Sequence, residues 1–145
     1  MPAHRKPRNK CKNCGLECSY PSGIYCSSKC KSEYEYDKFI QNWLEGNTSG
    51  MRNDGSVSGY IRKYMLKKNG SKCQKCGWNE ISPFTGNSPL HIHHIDGNSD
   101  NCSENNLMVL CPNCHSLTEN FGSRNKNNST RSKYHRRSIS KNTPD

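Results

Sequence analysis

The sequence is poor in apolar residues and has no long apolar run. Hydrophobic residues make up 30% of its 145 residues, whereas globular domains usually hold roughly 45–50% with glycine counted. The longest apolar run, residues 107–111, is too short to cross a membrane. The basic start MPAHRKPRNK is not followed by the apolar segment of a secretory signal. We therefore expect no membrane partner and a cytoplasmic protein that is not secreted.

So little apolar mass predicts a thin core, and small domains of this kind are usually stabilised by metal ions or disulfides. The chain has ten cysteines. Eight of them fall into close pairs, a spacing typical of metal ligands in a reducing compartment. Disulfides are the alternative, and the absence of a secretory signal favours zinc over them.

The net charge of +10 is concentrated at the two ends of the chain. Residues 1–12 carry five Lys or Arg and no acid, and residues 122–145 carry seven Lys or Arg and one acid. Residues 13–121 are nearly neutral, with ten basic and eleven acidic residues. Such ends are either solvated, disordered tails or basic arms that bind a polyanion. The many Cys and His residues favour nucleic acid as that polyanion.

The patterning divides the chain into two Cys-containing modules. A helical stripe of apolar residues ends near residue 44, and a second helix is predicted at 58–69 with Ser58 as its N-cap. Short strands are predicted at 90–95 and 107–110, followed by a helix at 112–121 that turns Leu117 and Phe121 inward. The predicted segments are a basic disordered tail at 1–10, a four-cysteine zinc module with a helix at 11–45, a linker at 46–57, a helix and Cys/His unit at 58–121, and a basic disordered tail at 122–145.

Paired cysteine knuckles predict two structural zinc ions, because zinc prefers four soft ligands in a tetrahedron. The first predicted site is formed by Cys11, Cys14, Cys26 and Cys30. The second is formed by Cys73, Cys76, Cys111 and Cys114. Cys18 could replace a ligand of the first site, and Cys18 and Cys102 are otherwise free thiols. A zinc ion held by four cysteines has no open position for water, so neither predicted site is catalytic.

Four histidines, His91, His93, His94 and His115, are left without a role in these sites. They could lack a function, bind a further zinc, or form a hydrolytic centre. The segments HHIDGN (93–98) and NLMVLCPNCH (106–115) resemble the HNH nuclease motif on a ββα-metal fold. YCSSKC, CGW and LCPNCHSLT are similar to segments of phage-encoded HNH homing-type endonucleases. The resemblance implies a small α+β protein, in which a zinc-stapled ββα-metal domain follows a zinc-ribbon-like module with helices.

The resemblance also implies roles for individual residues. His94 matches the general base that takes a proton from the attacking water, and Asn106 matches the residue that orients this base. His93 and His115 match the ligands of one catalytic divalent cation, which could be Mg²⁺, Mn²⁺, Ni²⁺ or Zn²⁺. Glu119 and Asn120 are both candidates for a third ligand. The implied activity is metal-dependent hydrolysis of double-stranded DNA, without a small-molecule cofactor, in the bacterial host cytoplasm if a phage encodes the protein.

Two other functions are alternatives to this one. A non-catalytic zinc-ribbon protein that binds DNA would explain the charge and the cysteines, but it would not explain the His and Asn spacing. A zinc deaminase needs an H-x-E motif, and His91-Ile92-His93 has no Glu at that position. The sequence therefore favours the nuclease, and it leaves the role of His91, the DNA sequence specificity and the oligomeric state open.

Overall fold

The structure of the protein, a computed structural model, describes residues 6–125. Most of the two predicted basic tails, residues 1–5 and 126–145, lies outside these described residues. The chain falls into two compact units that divide between Asn42 and Trp43. Three α-helices and a two-stranded sheet in the described part of the chain confirm the predicted small α+β class. Within the described residues, no helix is both long enough and apolar enough to cross a membrane.

The first unit begins with a cysteine knuckle and continues into a long helix. In the knuckle, the backbone N–H of Cys11 donates to Leu16 (2.7 Å) and that of Gly15 donates to Cys11 (2.9 Å). Gly15 has φ +76°, which a residue without a side chain adopts at little cost. Helix α1, Ser28–Leu44, starts inside the second cysteine pair. Cys30 therefore lies on its first turn.

The second unit contains the predicted second helix, α2, at Gly59–Lys68. Ser58 caps it as expected, because its side-chain oxygen accepts a hydrogen bond from the N–H of Tyr60 at 3.3 Å. Ile61 and Met65, one turn apart, are buried. The helix therefore contributes one narrow apolar side to the core, and its remaining surface faces outward.

Two short strands form an antiparallel hairpin, β1 at His91–His94 and β2 at Leu107–Leu110. His91 lies opposite Leu110, and His94 lies opposite Leu107. β2 is almost entirely buried, whereas β1 buries chiefly His93. The core side of the hairpin is therefore supplied by the apolar residues of β2, which leaves the side chains of β1 available to line a site.

A five-residue helix, α3 at Pro112–Ser116, follows β2 directly. It is shorter than the predicted helix at 112–121, and the expectation that Leu117 and Phe121 turn inward is wrong. Leu117 is 71% exposed and Phe121 is 40% exposed. The helix ends before Leu117, so the two side chains do not share the helical spacing on which that expectation rested.

Residues 46–57, predicted as a linker, belong to the second unit and are folded. Met51 pairs with Val57 in an isolated antiparallel bridge, and the N–H of Ser58 donates to the carbonyl of Gly50 at 2.9 Å. Gly50 lies directly against the side chains of Trp43 and Ile61. A glycine at this position therefore allows the chain to pass close to the core.

Gly50 and Gly46 form a matched pair for testing this close approach. Both have positive φ, +72° and +78°, but a Cβ on Gly50 would lie 2.9 Å from Trp43 while one on Gly46 would have no neighbour within 4 Å. We expect Gly46→Ala to cost about 1–2 kcal/mol through backbone strain alone. Gly50→Ala should cost about 1–3 kcal/mol more because of overpacking. Denaturant unfolding measures both, and equal costs would contradict the proposed packing role.

Candidate active site

The first cysteine cluster lies in the first unit and contains the four predicted ligands. The Sγ atoms of Cys11, Cys14, Cys26 and Cys30 all lie within 4.8 Å of one another. Those of Cys14 and Cys26 are 3.5 Å apart, and those of Cys26 and Cys30 are 3.4 Å apart. A zinc ion with Zn–S bonds of about 2.3 Å requires S–S separations of about 3.8 Å. The cluster is therefore close to the size that zinc needs, and Cys18 lies outside it.

The second cluster joins the start of the second unit's Cys/His region to its end. Cys73, Cys76, Cys111 and Cys114 also have Sγ atoms within 4.8 Å of one another, with 3.8 Å between Cys76 and Cys111. Gln74 fixes this knuckle to β2, because its N–H donates to the carbonyl of Val109 and its side-chain oxygen accepts from the N–H of Val109. The backbone of β2 therefore places Cys73 and Cys76 beside the pair that follows it.

The thiols of the second cluster differ in their readiness to ionise. Burial alone would raise the pKa of Cys73, but the backbone N–H groups of Cys111, Cys76 and Lys75 lower it to about 6. The pKa of Cys114 is raised to about 12, first by its hydrogen bond with Cys76 and then by burial. Four thiolates this close repel one another, so a cation must be present for all four to ionise. Metal binding here should therefore release protons.

Three of the remaining histidines meet in one cleft. A cleft of about 250 Å³ is lined by His93 and His94 at the end of β1 and by His115 on α3. Both β1 histidines reach it because the strand ends at His94. A turn follows, in which the backbone N–H of Gly97 donates to the carbonyl of His94, with 3.0 Å between nitrogen and oxygen. Burial lowers the pKa of all three imidazoles. They are therefore neutral near pH 7, the form that can bind a metal ion or accept a proton.

The rings of His93 and His115 have a separation that suits a shared metal ion. Their centroids are 5.3 Å apart with the planes inclined by 67°. An ion about 2.0–2.1 Å from one nitrogen of each ring places the ring centres about 5 Å apart. Of the two candidates for a third ligand, Asn120 lines the cleft and Glu119 is exposed. Across residues 6–125, no third group of three Cys, His or acidic ligand atoms is as close as in the two cysteine clusters.

His94 is held against a buried thiol. Its Nε2 lies 3.6 Å from the Sγ of Cys102, and the same Sγ lies 3.5 Å from the carbonyl oxygen of Ser99. Cys102 is 2% exposed, and burial raises its pKa to about 11, so the thiol stays protonated. Its own carbonyl accepts a hydrogen bond from the indole of Trp43 at 2.8 Å. The thiol therefore contacts Nε2 of His94, and Nδ1 is the second nitrogen of the ring.

Asn106 organises the loop between the two strands. Its backbone carbonyl accepts from Ile95 (2.9 Å), its side-chain oxygen accepts from the N–H of Asp96 (3.0 Å), and its amide donates to Asp96 and to the carbonyl of Asn101. Burial would raise the pKa of Asp96, but hydrogen bonds from Asn101, Asn98 and Asn106 lower it. Asn106 therefore fixes the two residues that follow His94, and its hydrogen bonds go to the backbone and side chains of this loop.

Some contacts of the site were not predicted from the sequence. The ring of His91 stacks on that of His115, with centroids 5.1 Å apart and planes inclined by 20°. Asn125 lines the cleft and donates to the carbonyl of Gly97 at 2.7 Å. Cys102, regarded as a free thiol, contacts His94. No sequence pattern marks these contacts, because each joins residues that lie well apart in the chain.

A two-stranded hairpin and a short helix that carry neutral histidines, fastened by a four-cysteine cluster, define a ββα-metal type of domain. The family model described as HNH endonuclease matches residues 73–121, the segment that contains the hairpin, α3 and the second cluster. Over these residues, the chain is similar to the HNH endonuclease family.

The chain is also similar to the H-N-H endonuclease F-TflIV of Escherichia phage T5. The two are 34% identical over 87 residues, which is 58% of this chain and 37% of the phage protein. The chain therefore spans little more than a third of the length of that relative. No solved structure matches the chain at a significant level.

Cys14 and Cys18 provide a matched test of the first cluster, because only Cys14 belongs to it. We expect one fewer bound metal ion per chain in Cys14→Ser than in the unaltered protein, and no loss in Cys18→Ser. Elemental analysis after gel filtration measures the metal content. A metal ion lost from Cys18→Ser and kept by Cys14→Ser would show that the ligand set is wrong.

Proposed function

We propose that the protein is a metal-dependent endonuclease that hydrolyses phosphodiester bonds of double-stranded DNA. One observation carries this proposal: His93, His94 and His115 share a single cleft within the segment that is similar to the HNH endonuclease family. The histidines come from two elements and are neutral, so they can bind a metal ion and accept a proton at the same place.

We assign a structural role to the two cysteine clusters, each holding one zinc ion. Their four thiols fill the coordination sphere of zinc and leave no position for water. His93 and His115 would hold a divalent cation, and Asn120 lies beside them in the cleft. This site differs from the cysteine clusters because its protein ligands do not fill the coordination sphere of the ion. When bound, such a cation neutralises charge on the scissile phosphate and stabilises the leaving oxygen.

In this proposal, His94 is the general base. Its neutral imidazole takes a proton from water as the water oxygen attacks phosphorus and the bond to the leaving oxygen breaks. Cys102 packs on Nε2, which directs the base function to Nδ1. Asn106 acts as a positioning residue, since it holds the backbone of Ile95 and Asp96 directly behind the base.

We extend the proposal to a homing-type enzyme that acts on DNA in the cytoplasm of a bacterial host. The phage origin of the similar endonuclease agrees with a phage-encoded protein. The shared region covers 37% of that relative, so the DNA target of the relative is not carried over to this chain.

His94→Ala tests the assigned base most directly. Loss of a general base should slow metal-dependent nicking of a supercoiled plasmid by about 100-fold or more. Phe84→Ala is the control, since Phe84 is 96% exposed and does not line the cleft, and it should keep most of the activity. Full activity in His94→Ala would refute the assignment. A zinc-loaded protein that binds DNA but cleaves none with any divalent metal would favour the non-catalytic DNA-binding alternative.

A further inference from the structure

A strongly basic segment precedes the second cysteine knuckle. Residues 62–75 contain six Lys or Arg and no Asp or Glu. The whole described part of the second unit, residues 43–125, has eight basic and seven acidic residues, so most of its positive charge lies in these 14 positions. We call the six residues the basic stripe: Arg62, Lys63, Lys67, Lys68, Lys72 and Lys75. All six are exposed.

The fold of α2 explains why the stripe faces outward. Ile61 and Met65 point into the core and are 0% and 3% exposed, which directs Arg62, Lys63 and Lys67 away from it. Lys63 and Lys67 are one turn apart, about 6 Å along the helix axis. That distance is close to two rises of about 3.4 Å per phosphate, measured along the axis of the DNA duplex for one strand.

The stripe borders a continuous groove. One part of the groove, about 450 Å³, is lined by Arg62, Lys63 and Lys67. The adjoining part, about 410 Å³, shares Arg62 with it and extends to Leu90. Leu90 immediately precedes β1, and an extended chain covers the three residues from Leu90 to His93 in roughly 10 Å. The groove therefore leads towards the strand that carries the proposed active site.

The cations of the stripe are only partly neutralised. Lys68 forms an ion pair with Glu104 at 2.6 Å, and Arg62 donates one hydrogen bond to the carbonyl of Leu90. Lys67, Lys72 and Lys75 form no ion pair with any carboxylate of residues 6–125. The lysines near the start of α1 differ, because each has a glutamate one turn away. The pairs are Lys29 with Glu33 and Lys31 with Glu35.

The buried side of α2 excludes two other partners of basic helices. Membrane-surface helices and peptides that enter apolar grooves both require an apolar face to insert into the partner. In α2 that face, Ile61 and Met65, is already packed in the core. The exposed surface of α2 therefore offers a partner mainly positive charge along a groove. A polyanion with regularly spaced negative charges is complementary to such a surface.

We propose that the basic stripe binds the phosphate backbone of duplex DNA and holds it so that a phosphate reaches the histidine cleft. This inference rests on the proposed nuclease function and adds the surface that positions the substrate. Backbone contacts of this kind fix the orientation of the duplex and carry no direct sequence information. The stripe therefore supplies affinity for all duplexes alike, and any sequence specificity comes from other residues.

The test measures DNA binding separately from cleavage. Zinc-loaded His94→Ala protein is titrated with a fluorescent duplex of mixed sequence across a series of salt concentrations, with anisotropy as the readout. In that background, Lys63→Gln/Lys67→Gln removes two charges of the stripe. Lys29→Gln/Lys31→Gln is the matched control, since it removes two exposed lysines of α1, outside the stripe. Lys63→Arg/Lys67→Arg keeps the charge.

We expect the stripe variant to bind about tenfold or more weakly, and the slope of log affinity against log salt to fall in magnitude by about 1.8 for the two lost phosphate contacts. The control and the arginine variant should keep the slope of the His94→Ala protein. An unchanged slope in the stripe variant, or an equal loss in the control, would overturn the inference. If the His94→Ala protein itself does not bind duplex DNA, the proposed function fails first.

Discussion

The arrangement of the candidate active site depends on the four thiols of Cys73, Cys76, Cys111 and Cys114. Thirty-four residues separate the two cysteine pairs, and both strands and all the cleft histidines except His115 lie between them. Closing so long a loop has a large entropic cost, which a metal ion bound to four thiolates can offset. The thiols cannot all ionise without a cation, so the same ion that closes the loop also stabilises the charges that hold it. His115 directly follows Cys114, and the cluster therefore fixes one wall of the cleft.

The second constraint is the polar loop that returns from β1 to β2. Asn106 uses its backbone carbonyl and both ends of its amide inside this loop, which shapes the chain just behind His94. Cys102 contacts the imidazole itself, and the backbone carbonyl of Cys102 accepts a hydrogen bond from Trp43. The orientation of His94 is therefore set by two buried groups from one loop, whereas the metal-binding pair, His93 and His115, is set by the sheet and the cysteine cluster.

The sequence predicts those parts of this arrangement that depend on residues close together in the chain. Both four-cysteine groups, the Ser58 cap and the bounds of β2 follow from spacing and capping rules that act within a few residues. The sequence failed where neighbours distant in the chain decide. The helix after Cys111 ends early and leaves Leu117 exposed. The contact of Cys102 with His94 has no local signature, because it is made by packing of the folded loop.

Nuclear Overhauser contacts between the imidazole rings of His93 and His115 test most directly whether the second cluster builds the cleft. The rings are 5.3 Å apart, so their protons should show a cross-peak in the zinc-loaded protein. The account predicts that the cross-peak is lost in Cys76→Ser, which removes one exposed thiol of the second cluster, and is kept in Cys14→Ser, which alters only the first. A cross-peak that persists unchanged in folded Cys76→Ser would contradict the claim that this cluster positions the histidines.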